Sequence, residues 1–151
     1  MKFNVGGFEF RCRMCRRSDR DFVLGLYKKT LFRQVAEYHE PSVKLFDERF
    51  YSDYRQKRII MRGKRRIGMY QLLKMDDKLM IKGLFLSPFY HGKGIGSVLM
   101  DQFERYARKK GLPSIQLHVW ENNPAVGFYK KLGFSIEAKE EHKYRMVKEL
   151  V

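Results

Sequence analysis

The chain is short of acid. Its 17 Asp+Glu stand against 32 Lys+Arg, a formal net charge of +15 with a pI near 9.9. A field of that sign repels polycations and attracts phosphates, nucleic acid and acidic lipid surfaces. Cysteine is nearly absent, with only Cys12 and Cys15, too few for a disulfide-stapled scaffold. No run approaches the roughly 20 apolar residues of a membrane span, so no membrane association is expected. Met1–Gly7 lacks the apolar stretch of a secretory signal, which makes the cytoplasm the expected location. Proline is limited to four residues, and neither a repeat nor a Pro/Ser-rich linker marks a boundary. The 151 residues, 44% hydrophobic and 15% aromatic, suit one folded domain over 1–151.

Periodicity orders the elements. Phe8, Phe10, Cys12 and Met14 alternate with Glu9, Arg11 and Arg13, the period of a strand over 8–14. Ser18 reads as a helix N-cap, and Phe22, Val23, Leu26 and Tyr27 give that helix one apolar face. A break at Glu40-Pro41 precedes a second amphipathic helix over 42–56, striped by Val43, Phe46, Phe50 and Tyr54. Strands over 58–62 and 65–73 flank Gly63-Lys64 as a hairpin, and a third strand runs over 79–86. A glycine-rich turn follows, then a helix ended by Gly111 and Pro113, and a strand over 114–119. A short helix capped by Asn123 stops at Gly133, and strands over 135–137 and 144–150 close the chain. The order β-α-α-β-β-β-α-β-α-β-β predicts an α/β fold.

The strongest chemical signal is His91-Gly92-Lys93-Gly94-Ile95-Gly96-Ser97, lying between a strand and a helix. Glycines let successive backbone N–H groups converge, and the helix N-terminus adds unpaired donors and partial positive charge. Lys93 adds a full charge. Such a turn suits a pyrophosphate, although it also serves as a plain strand-to-helix connection. The Gly-Lys-Ser/Thr of nucleoside-triphosphate loops is absent, and glycines at steps of two do not match Gly-x-Gly-x-x-Gly.

Two longer stretches resemble the GCN5-related N-acetyltransferases, the GNAT superfamily. Leu84-Phe85-Leu86-Ser87-Pro88-Phe89-Tyr90-His91-Gly92-Lys93-Gly94-Ile95-Gly96 resembles its acetyl-CoA-binding motif. Leu117-His118-Val119 through Asn123, Ala125, Tyr129 and Gly133-Phe134 is similar to its second signature. The two occur in family order and span 84–134. The resemblance implies a single mixed, mostly antiparallel sheet flanked by helices, and acetyl-CoA as the donor, with no metal. It assigns the pyrophosphate to Gly92, Lys93, Gly94, Ile95, Gly96 and Ser97, with His91 at the usual Gln/Arg position. It assigns the pantetheine arm to the strand Leu84, Phe85 and Leu86, with the Leu84 N–H facing the thioester oxygen. Tyr129 matches the tyrosine placed near the thiol sulfur.

Amine acetylation needs a base, because a lysine-type ammonium has a pKa of about 10.4. Some family members carry a glutamate where this chain has Met80, which cannot act as a base. His118, between Leu117 and Val119, is one candidate, and Glu121 is a second. Each also has a plainer reading, His118 as a strand side chain and Glu121 as a solvated loop carboxylate. The signature's Asn falls on Asn122 or Asn123, and Pro124, which fits a helix start, favours Asn123; the resemblance implies that this Asn touches the cofactor. Family helices after the first strand commonly wall the acceptor site, which makes Phe50, Tyr51 and Tyr54 substrate-pocket candidates. The stripe they belong to reads equally as core.

Cys12 and Cys15 point to opposite faces of an extended strand and have no second ligand pair, so they read as reduced thiols. Residues 1–66 hold 18 Lys+Arg against 8 Asp+Glu, two thirds of the net excess. The runs Arg55–Arg58 and Arg62–Arg66 could meet RNA or simply keep a sheet edge soluble. The expected function is direct acetyl transfer to a primary amine of a neutral or acidic acceptor, by a monomer or homodimer. The alternative is a GNAT-like binding module that presents its basic face to RNA, the ribosome or an acidic protein. Nucleic acid thus stays open as a partner.

Overall fold

The computed structural model describes residues 1–150. Its eight strands form one sheet in the order β1-β2-β3-β4-β5-β6-β8-β7. The strands are β1 (Lys2–Val5), β2 (Phe8–Met14), β3 (Lys57–Arg62), β4 (Arg65–Lys74), β5 (Leu79–Leu86), β6 (Ser114–Trp120), β7 (Ser135–Glu140) and β8 (Lys143–Glu149). Helices are α1 (Arg20–Thr30), α2 (Phe32–Ala36), α3 (Val43–Asp53), α4 (Ile95–Lys109) and α5 (Ala125–Lys131). β1–β2, β2–β3, β3–β4, β6–β8 and β7–β8 run antiparallel, whereas β5 and β6 run parallel. The fold is therefore the mostly antiparallel α/β sheet expected, with one strand and one short helix more than the sequence pattern indicates.

The added strand is β1. Gly6 and Gly7 both take positive φ, 59° and 81°, as a two-residue hairpin turn requires. Phe3 then lies opposite Phe10, and their rings stack at 5.3 Å. A second difference concerns the cap before α1. Ser18 is exposed, and Asp19 stands at the N-cap position of α1 without a side-chain bond into that helix: its carboxylate accepts the Arg16 N–H, ahead of the 3-10 turn Arg17–Asp19, at 2.8 Å. Arg13 donates two hydrogen bonds to the same buried carboxylate, at 2.8 and 2.9 Å, and Arg66 adds a third at 3.1 Å. Burial opposes ionisation of Asp19, but these donors outweigh it and hold the carboxyl well below its usual range. The third difference is at α3. Ser42 caps it by accepting the Leu45 N–H at 3.1 Å, but the helix stops at Asp53 and Tyr54–Gln56 form a 3-10 turn.

The chain packs as two compact units. One comprises Met1–Gln71 with Gly83–Val98, the other Leu72–Lys82 with the chain from Leu99 onward. In the first, Val23, Leu24 and Leu26 of α1 join Phe46 and Phe50 of α3 against Ile59 of β3 and Met69 of β4. Burying each of these side chains contributes roughly 1.5–3 kcal/mol. Arg20 holds the two helices together through Asp47, at 2.8 and 2.9 Å. The stripe predicted for α3 is thus core at Phe46 and Phe50, while Val43 is exposed and Tyr54 half-buried. In the second unit, Leu79 and Ile81 pair in register with Ile115 and Leu117, and all four are buried. β8 follows β6 along its length, from Ser114↔Glu149 to Trp120↔Lys143.

Candidate active site

The residues singled out from sequence fall into two sets, one in each unit. In the first unit, β5 ends at Leu86 and a 3-10 turn, Pro88–Tyr90, leads into the glycines. Tyr90 anchors this connection. It is buried, and its ring meets Phe10 edge-on at 6.5 Å. The Ser87 N–H donates to the Ile67 carbonyl at 2.8 Å, fixing the strand end to β4. His91, which replaces the family's usual Gln/Arg, turns back instead: its Nε2 donates to the Leu86 carbonyl at 2.7 Å. Phe85 points into the core, 5.0 Å from the Tyr27 ring, so only its backbone is free to serve a ligand.

The turn itself is an open cradle. Gly92 and Gly94 have φ of 70° and 88°, conformations that side chains resist. A Cβ on Gly92 would meet nothing within 4 Å, and one on Gly94 would sit 3.6 Å from Val5 Cγ1. Val98 donates to the Gly94 carbonyl at 3.1 Å, which opens the hydrogen-bond ladder of α4. The N–H groups of Ile95, Gly96 and Ser97 precede that ladder and have no partner within the helix. Ile95 is buried, which pins the first turn, whereas His91 to Gly94 and Ser97 are exposed. Lys93 reaches over Phe89, with Nζ 4.7 Å from its ring centre. N–H donors without a helical partner at a helix N-terminus, beside the exposed Lys93, fit a pyrophosphate.

Phe50, Tyr51 and Tyr54 also belong to this unit. Phe50 is buried and stacks on Phe46 and Tyr54, at 5.8 and 5.7 Å. It is a core residue, not a pocket residue, and only Tyr51 and Tyr54 present surface. Sequence patterns gave no hint of the polar network behind them. Lys57 is 4% exposed, and its ammonium donates to Asp53 at 2.6 Å and Gln71 at 3.0 Å. Gln71 in turn donates to Asp53 at 3.1 Å. The only sequence trace of this network is a lysine and a glutamine at apolar strand positions.

In the second unit, Asn123 caps α5 as expected, accepting the Ala125 N–H at 2.8 Å. Tyr129 is buried against Phe128 and Phe134, and that burial pushes its phenol up to about 12. His118 is exposed on β6. Partial desolvation lowers its pKa, with Lys143 and Arg145 adding to the effect and Glu140 opposing it. The ring is therefore neutral at pH 7. Glu121 is engaged: Lys139 Nζ lies 2.6 Å from one oxygen, and His142 Nδ1 lies 3.6 Å from the other. Among the described residues no cluster of three His, Cys, Asp or Glu side chains is arranged for a metal.

The model of the acetyltransferase (GNAT) family matches residues 21–134. The chain belongs to this family. A spermidine N(1)-acetyltransferase of Thermoplasma acidophilum is 35% identical over 72 residues, 47% of this chain and 45% of that protein. An uncharacterised N-acetyltransferase of Methanocaldococcus jannaschii is 38% identical over 71 residues, 46% of this chain and 31% of that protein. The chain thus spans less than half the length of these curated relatives. The PaiA N-acetyltransferase of Thermoplasma acidophilum, solved in complex with coenzyme A, superposes with a TM-score of 0.73. It is 20% identical, over 93% of this chain and 98% of that one, which shows the GNAT fold.

Proposed function

We propose that this GNAT-family chain is an acetyl-CoA-dependent N-acetyltransferase that moves the acetyl group directly to a primary amine. The observation that carries this reading is the turn Gly92–Ser97, an open cradle of N–H donors at the head of α4. Acetyl-CoA, when bound, supplies a thioester carbonyl for the amine to attack. Backbone N–H groups of Gly92–Ser97 and the Lys93 ammonium hold its pyrophosphate. The Leu84 N–H stabilises the charge that develops on the carbonyl oxygen. Leu86 aligns the pantetheine arm through its backbone, and Asn123 holds the start of α5.

Tyr129 donates a hydrogen bond to the departing thiolate and keeps its own proton. With the phenol at about 12 and a thiol at about 8.5, complete transfer is uphill by roughly 5 kcal/mol. His118, neutral at pH 7, serves as the base better than Glu121, whose charge is already neutralised by Lys139. Tyr51 and Tyr54 wall the acceptor side. The positive field around them favours a neutral or acidic acceptor over a polyamine.

The test is CoA release from acetyl-CoA with a panel of peptides, amino acids, aminoglycosides and spermidine. Turnover with a neutral or acidic amine is expected. The reading fails if no amine is acetylated and saturating acetyl-CoA leaves the melting temperature unchanged.

A further inference from the structure

One flank of the first unit carries cations that neither the cradle nor the core uses. Arg17 lies over the Tyr51 ring, with Cζ 4.7 Å from its centre, and 6.0 Å from the centre of Tyr54. Arg55 lies 5.7 Å from the centre of the same Tyr54 ring. Arg58 donates to the Arg55 carbonyl at 3.1 Å, and Arg16 adjoins Arg17 in the chain. Among the described residues, none of these four arginines pairs with a carboxylate. Nearby acids are already engaged: Asp19 with Arg13 and Arg66, Asp21 and Asp47 with Arg20, and Asp53 with Lys57. Glu48, one turn before Tyr51 on α3, is the remaining local acid.

A guanidinium laid on a tyrosine face is held in place and partly desolvated there, yet its in-plane N–H donors still point outward. That geometry is ready for carboxylates or phosphates, with little ordering left to do on binding. The rings decide between the two classes of anion. Single-stranded nucleic acid gains most of its affinity from bases stacked on free aromatic faces. Tyr54 offers little free face: it stacks on Phe50 at 5.7 Å, and the Arg17 and Arg55 guanidinium carbons lie 6.0 and 5.7 Å from its ring centre. Tyr51 is 43% exposed, but Arg17 lies over its ring and Phe50 meets it edge-on at 5.3 Å.

We propose that the surface formed by Arg17, Tyr51, Tyr54 and Arg55 docks a carboxylate-rich peptide segment, with one acidic side chain on each stacked guanidinium. The proposal shares Tyr51 and Tyr54 with the acceptor-side reading above, but docking needs no turnover, so a failure to bind peptide and a failure to acetylate are separate results.

The probe is a fluorescein-labelled peptide of alternating Glu and Ser, read by anisotropy. Saturating CoA is present to screen anion binding at the glycine turn, and salt is kept at about 50 mM so that surface charge is felt. The Glu/Ser peptide is expected to bind and a Gln/Ser peptide not to bind. Arg17→Gln with Arg55→Gln is expected to weaken binding about tenfold. Lys28→Gln with Lys29→Gln, which removes equal charge from exposed positions on α1, is expected to have little effect. Arg17→Lys with Arg55→Lys, which keeps charge but loses the stacked fork, is expected to weaken binding severalfold. All variants are exposed substitutions, and a melting temperature within about 2 °C of the parent confirms that each is folded. The proposal is overturned by no binding of the acidic peptide, by equal weakening in both Gln pairs, or by full affinity in the Lys pair. Tighter binding of a single-stranded RNA of matched charge, lost in the same Arg→Gln pair, overturns it in favour of nucleic acid.

Discussion

The Phe134 N–H donates to the Tyr129 carbonyl at 3.1 Å, and the two rings meet at 5.9 Å. The Gly133 N–H donates to the Lys130 carbonyl at 3.1 Å one step inside. Together these bonds form the paired closure that ends a helix on a left-handed residue, here Gly133 at φ 97°. The helix stop therefore fixes the backbone that carries the proposed catalytic phenol. Gly133→Ala is expected to cost about 1 kcal/mol or more, because alanine resists that φ and its Cβ would lie 3.2 Å from Lys148 Cε. Urea unfolding checks it: an unchanged midpoint would show that the closure relaxes without cost.

Tyr129→Phe keeps the buried ring and removes only the hydroxyl. A hydrogen bond to a charged leaving group is worth roughly 1.5–3 kcal/mol, so kcat is expected to fall about ten- to a hundredfold. The melting temperature should barely move. Parent-like kcat in a folded variant would remove Tyr129 from the chemistry.

The cradle is tested by Gly94→Glu. Acetyl-CoA is expected to raise the melting temperature of the parent, as any ligand of the native state does, and to leave that of the variant unchanged. A parent-like shift in Gly94→Glu would locate the phosphates elsewhere.

Asp19 predicts a pH dependence of stability. Its carboxyl is held below its unfolded value of about 3.9, so the unfolded chain binds the proton more readily. The stabilisation is therefore fully present above about pH 4–5 and is lost as pH falls toward the folded value. Asp19→Asn should be less stable at pH 7 and should lose less on acidification. Parallel stability curves for parent and variant between pH 6 and about pH 3 would contradict this.

His118 predicts a pH dependence of rate. A base works unprotonated, and the lowered pKa places its titration below the ordinary 6.5. The acid limb of kcat/KM is expected below pH 6.5 and should vanish in His118→Ala, along with most of the rate. An unaltered acid limb in that variant would assign the base to another group.

Sequence legibility followed the range of the interactions involved. β2 and β5 were legible to the residue, because alternation and turn residues are local signals. The turn's backbone shape was legible because glycine spacing encodes it directly, and Gly92 and Gly94 both take positive φ. Ser18 reads as a cap from its residue type alone, which does not show that Asp19 takes the N-cap position and turns its carboxylate back to Arg13, Arg16 and Arg66. Phe50 looked like pocket as much as core, since a helical stripe does not say what lies opposite it. The Lys57–Asp53–Gln71 network was hidden for the same reason: its partners come together only when β3, β4 and the end of α3 pack. β1 was missed although Phe3, Val5 and Gly6-Gly7 carry its pattern, because four residues are too short a window for periodicity to stand out.

That short strand bears on the cradle. A Cβ on Gly94 would lie 3.6 Å from Cγ1 of Val5, the strand's last residue, so an edge strand of four residues packs against the proposed phosphate turn. Edge strands open at lower free energy than strands inside a sheet. If the turn holds phosphate as proposed, its occupancy is expected to slow amide exchange along Lys2–Val5.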